Sequence, residues 1–102
     1  MKIGLIDYSN ECNFAIEIFN NACIEQVKSF MKIGLAAWYE AAHDDIEGNL
    51  YFDRESIESF YGAGYAEPTY ELLNRYGIEF RAIDIEFNNE DEAINLDEVV
   101  YY

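Results

Sequence analysis

Residues 12–18 read Cys-Asn-Phe-Ala-Ile-Glu-Ile, and whether they extend or coil decides the fold. Apolar side chains at Cys12, Phe14, Ile16 and Ile18 alternate with Asn13 and Glu17, the period of a half-buried strand. The competing reading is a helix that begins near Asn13. As a strand, the segment turns back on residues 2–8, which are rich in Ile and Leu and run into the turn-forming pair Ser9-Asn10. Residues 9–11 would then be the tip of an N-terminal hairpin.

C-terminal to this stretch the period changes. Ile24, Val27, Met31, Leu35, Trp38 and Ala42 recur at steps of three and four, one face of a helix about twenty residues long. Asn20 and Asn21 are candidate caps for it, because their side-chain oxygens can accept from free amides at a helix start. Lys28 and Lys32 fall on the opposite face. Gly34, Ala36 and Ala37 form a small-residue strip that lets another element, or a second copy of the chain, come close, so a homodimer is one expectation. Asp53 offers a cap for a short helix to Tyr61, with Ile57, Phe60 and Tyr61 facing in and Glu55 and Glu58 facing out; Gly62 and Gly64 break it. Pro68 suits the first turn of a third helix, which buries Leu72, Leu73 and Tyr76 and ends at Gly77.

Period two returns after Ile78. Ile83, Ile85 and Phe87 share one face and Asp84 and Glu86 the other; residues 88–92 form a polar turn and residues 94–102 a returning strand. The order β-β-α-α-α-β-β describes one α+β domain over residues 1–102, in which an antiparallel sheet of N- and C-terminal hairpins packs on three helices. A chain of 102 residues has no material for a second core. The pentapeptide Met-Lys-Ile-Gly-Leu occurs at residues 1–5 and 31–35, but the flanks differ and no repeat follows from it.

Charge is the other dominant signal. Asp and Glu number 21 against six Lys and Arg, for a formal net charge of −15. Residues 40–98 hold 17 of the acids and only Arg54, Arg75 and Arg81. Disordered chains pair such charge with few aromatics, whereas 17% of these residues are Phe, Tyr or Trp, so the charge belongs on a folded body. Direct contact with nucleic acid or an anionic membrane is disfavoured, since both need a basic stripe. Cys12 and Cys23 lack a paired spacing, and no signal peptide points to an oxidising compartment; the expectation is reduced, buried thiols in a cytoplasmic protein.

Catalytic chemistry finds little to work with. His43 is the single histidine, and its neighbours Asp44 and Asp45 could orient an imidazole, but no serine or cysteine lies in a nucleophile turn; it reads as an exposed residue at a helix end. Gly62-Ala63-Gly64 lacks the rest of a phosphate cradle. Asp84, Glu86, Asn88, Glu90 and Glu92 alternate like a calcium ladder, yet Asn89 stands where the loop needs glycine and Asn95 where it needs a bidentate glutamate. No catalytic residue, metal ligand or cofactor is assigned.

The acids themselves are then the candidate site. Duplex DNA carries one charge per ~1.7 Å of axis, so fourteen uncompensated charges correspond to ~24 Å of duplex, close to the width of a compact domain of this size. Candidate partner-binding acids are Asp44, Asp45 and Glu47 after the long helix, Asp53, Glu55 and Glu58 on the short one, and Asp84, Glu86, Glu90, Asp91, Glu92, Asp97 and Glu98 on the C-terminal hairpin. Tyr51, Tyr61 and Tyr65 lie beside them and supply contact area with a hydrogen-bonding tip. In size and charge the chain resembles the small acidic decoys that phages and mobile elements direct against restriction enzymes or CRISPR nucleases. That resemblance is one of composition over residues 40–102, and it implies a basic, nucleic-acid-binding enzyme as partner in the host cytoplasm. Immunity proteins and antitoxins that plug a basic nuclease toxin share these traits, and an acidic domain of structural role is the third reading.

Overall fold

A computed structural model describes residues 2–7, 12–44, 46, 50–83 and 93–95. In chain order the elements are strands β1 (Lys2–Asp7) and β2 (Cys12–Ile18), helices α1 (Ile24–Ala42), α2 (Arg54–Phe60) and α3 (Glu67–Arg75), and strands β3 (Phe80–Ile83) and β4 (Ala93–Asn95). The α+β class, the antiparallel β1-β2-β3 sheet and the three helices are as the sequence implies. Residues 12–18 are a strand, and the helix starting near Asn13 is excluded.

Register explains why the strand wins. Ile3 lies opposite Ile16 and Leu5 opposite Phe14, while Ile18 lies opposite Phe80 of β3. Opposed residues share a face, so one side of the sheet is a continuous apolar surface. Ile3, Leu5 and Ile16 are fully buried there. A helix over residues 12–18 would scatter these side chains around its axis. The reverse face carries Lys2, Glu17 and Arg81 in one cross-strand row, with Arg81 Nη2 2.7 Å from Glu17 Oε1.

Among the described residues, β3 and β4 are not paired as the expected C-terminal hairpin would have them. The sheet order is β3-β2-β1-β4, which puts β3 and β4 on opposite edges. β4 runs parallel to β1, with Lys2, Ile3 and Gly4 opposite Ala93, Ile94 and Asn95. A polar turn at residues 88–92 suggests a hairpin, but the edge of β1 offers the same backbone groups to pair with. The turn itself, Ile85 and Phe87, and residues 96–102 of the anticipated last strand, lie outside the described residues.

Helix α1 is the hub, packing on both α2 and α3. Its buried side is wider than the stripe read from sequence, adding Phe30, Gly34, Ala37 and Ala41 to Val27, Met31 and Leu35. The small-residue strip meets α3 of the same chain: a Cβ on Gly34 would sit 2.6 Å from the amide nitrogen of Thr69, which is fully buried. Neither asparagine caps α1. Cys23 occupies that position without a side-chain bond, and Asn20 Nδ2 instead donates to the Gly77 carbonyl at 3.2 Å. Cys23 is exposed with a free thiol, correcting the expectation of burial; the Cys12 side chain is outside the described set. Lys28 and Lys32 are half-buried rather than fully solvated.

The remaining helix ends follow the sequence. Asp53 Oδ1 accepts from the Ser56 amide at 2.8 Å and starts α2. Pro68 lies in the first turn of α3. At its end the Ile78 amide donates to the Leu73 carbonyl and the Gly77 amide to that of Asn74, a Schellman motif with Gly77 at φ 71°. Two aromatics differ from expectation: Tyr61 is 72% exposed rather than core-facing, and Tyr76 is half-exposed while its ring packs 4.8 Å from Phe30.

Candidate functional site

With Ile57 and Phe60 buried, the seven-residue helix α2 has its other side in water, and Glu55 and Glu58 are on it. α3 buries Pro68, Thr69, Leu72 and Leu73, which leaves Glu67, Glu71 and Asn74 outward at helical steps of four and three. The two helices are thereby obliged to show their carboxylates on neighbouring surfaces.

Arginine counter-charges are few, and each is engaged by groups of the chain itself. Arg54 Nε donates to Glu58 Oε1 at 3.2 Å. Arg75 Nη1 donates to the Tyr51 carbonyl at 2.7 Å, and its guanidinium lies 5.2 Å from the centre of the Phe52 ring. Arg81 is held by Glu17 and lies 5.6 Å from the centre of the Phe19 ring. Among the described residues, Asp44, Glu55, Glu67, Glu71 and Glu79 are therefore exposed carboxylates with no ion pair.

Between the end of α2 and the outward side of α3 lies a cleft of about 300 Å³. Phe60 and Tyr70 contribute apolar wall, Ser59 and Asn74 neutral polar groups, and Glu67 and Glu71 the charge. Tyr70 is fixed from behind by a stacked Phe80 at 5.3 Å and an edge-on Phe14 at 6.2 Å. Burial, then the Glu67 carboxylate and Tyr65, raise the Tyr70 hydroxyl above its ordinary 10.0, so it stays neutral at physiological pH. No family model, curated protein or solved structure matches the chain. What the site can do is therefore argued from its own groups.

Of the residues singled out from sequence, Asp44 is exposed just past α1, at φ 55°, a left-handed conformation that Asp tolerates better than most. Asp53, Glu55 and Glu58 are exposed at α2. The Asp53 carboxyl is held below its ordinary 3.8, chiefly by the Ser56 backbone amide, then by the Ser56 side chain and by Arg75. Asp45, Glu47, Asp84, Glu86, Glu90, Asp91, Glu92, Asp97 and Glu98 lie outside the described residues. Tyr51 and Tyr61 are exposed. Tyr65 is committed to the fold: its hydroxyl accepts from the Asn13 amide and donates to the Asn13 carbonyl, tying the approach to α3 onto β2.

His43 ends α1 with its ring stacked on Tyr39 at 3.9 Å and Nδ1 3.0 Å from the Tyr39 carbonyl oxygen. No group of three or more His, Cys, Asp or Glu side chains among the described residues is placed to hold a metal ion. No described helix is long and apolar enough to cross a membrane. The sequence reading missed Glu67 and Glu71 as site residues. Their signal is the recurrence of Glu67, Glu71 and Asn74 along one side of α3, beside the stripe that buries Leu72 and Leu73.

Proposed function

We propose that this protein is an acidic inhibitor that occupies the basic nucleic-acid-binding surface of a nuclease, in the manner of a DNA decoy. The carrying observation is the set of exposed, unpaired carboxylates Glu55, Glu67, Glu71 and Asp44 on α2, α3 and the end of α1, in a chain whose three arginines are each engaged by its own groups, Arg54 by Glu58 on the surface of α2. The protein thus presents its charge outward instead of neutralising it. A field of one sign steers a basic partner and raises association rates by roughly 10–10³-fold at low ionic strength.

Magnitude limits how literal the mimicry is. The long axis is 38 Å and the net charge −15. Set against one charge per ~1.7 Å for duplex DNA, that is about two-thirds of the duplex density. Long-range attraction is well supplied, and affinity must come also from shape and from specific contacts.

The test is protection of duplex DNA from purified restriction and RNA-guided nucleases, with binding measured beside cleavage. The reading expects at least one such enzyme to be inhibited, and DNA to displace the protein competitively. Replacing Glu55, Glu67 and Glu71 together by lysine should weaken that complex and flatten its dependence on salt. An affinity that is the same at low and high salt would sink the electrostatic reading. Protection only against a toxin encoded beside the protein would replace the decoy by an immunity protein.

A further inference from the structure

We infer that the cleft between α2 and α3 is the receptor for one arginine side chain of the partner. The inference rests on the inhibitor reading and deepens it, by naming the residue type that the acidic surface selects. Glu67 and Glu71 stand one helical turn apart on the same wall. A guanidinium is planar, carries five donors in a rigid fork, is weakly hydrated and stacks on aromatic faces; an ammonium can also bridge two carboxylates but is a compact, strongly hydrated point charge that gains less from an apolar wall. Ser59 and Asn74 add acceptors at the rim, and Phe60 and Tyr70 supply apolar wall against which a weakly hydrated cation can lie.

The chain shows the same preference internally. Arg81 combines an ion pair to Glu17 with a place over the Phe19 ring, and Arg75 lies over Phe52. The cleft offers the carboxylate and aromatic halves of that arrangement, and no arginine of the chain is directed to it. A divalent cation fits it less well, since two carboxylates are fewer oxygen ligands than calcium takes and the described residues hold no larger group.

The experiment titrates the intact, isotope-labelled protein at low salt with a Gly-Arg-Ser repeat peptide and with its lysine counterpart of equal charge, following backbone amide signals. The arginine peptide should bind roughly threefold more tightly, because both cations make the exposed ion pairs and the difference is left to the fork geometry and the aromatic wall. It should shift the amides around Ser59–Ala63 and Glu67–Asn74. Glu67→Gln with Glu71→Gln should abolish the preference. Glu25→Gln with Glu79→Gln removes the same charge at exposed positions outside the cleft and should preserve it. Equal affinity for the two peptides, equal losses in both double variants, or shifts centred elsewhere would each overturn the cleft. Nuclease protection that persists after any of those results would leave the inhibitor reading standing, so the two failures are distinguishable.

Discussion

At Gly34 a Cβ would lie 2.6 Å from the Thr69 nitrogen and 2.8 Å from its Cα, with Thr69 Oγ1 closer still. Two of those three atoms are backbone, so no rotamer change relieves the clash. α1 and α3 must separate, and the layer of Leu72, Leu73 and Leu35 separates with them. Gly34→Ala is therefore expected to destabilise the protein by about 1–3 kcal/mol, the usual cost of overpacking, despite the better helix propensity of alanine. A lowered urea midpoint with an unchanged slope would show it; a variant as stable as the parent would mean that the helices are not in close contact there. The sequence marks Gly34 as part of a small-residue strip and leaves open what covers it. A periodic face shows that something packs against it, while the identity of that neighbour is a property of the chain's path.

Elements were legible wherever a local rule dominated. Asp53, Pro68 and Gly77 each act through their own backbone position, and each marks the helix end that the sequence implies. Asn20 and Asn21 have the same local chemistry as Asp53, but α1 begins beyond them and Asn20 serves the Gly77 carbonyl in the turn after α3. The same contrast governs β4: its extended conformation is local, but its choice of β1 over β3 is not. The cleft was illegible for that reason too, since α2 and α3 carry one wall each. A prediction belongs to the α2 cap. Asp53 has a depressed folded pKa, so its stabilising effect is complete above its unfolded value near 3.8 and is lost as pH falls through the lower folded value. Asp53→Ala should reduce thermal stability at neutral pH, and the gap to the parent should close in strong acid. A gap that stays constant with pH would exclude the ionised cap.

For the molecule as a whole, the uncompensated carboxylates repel one another, and the folded state holds them closer than the unfolded chain does. At 0.15 M ionic strength screening already acts over about 8 Å, and at 1 M over about 3 Å. Raising sodium chloride should therefore raise the thermal midpoint while weakening any complex with a basic partner. A midpoint that falls with salt would mean that attractive pairs such as Glu17–Arg81 outweigh the repulsion. The opposite signs of these two responses separate stability from binding in one series of measurements. The parallel pairing of β1 with β4 bears on how the chain is made. Residues 2–4 leave the ribosome first among the described strands, yet their partner at residues 93–95 emerges some ninety positions later. At synthesis rates of about 5–20 residues per second, one edge of β1 waits roughly 5–20 s for its neighbour. During that interval β2 can already cover the other edge, and the net negative charge of the intervening residues 19–92 opposes the joining of nascent chains on adjacent ribosomes through the bare one.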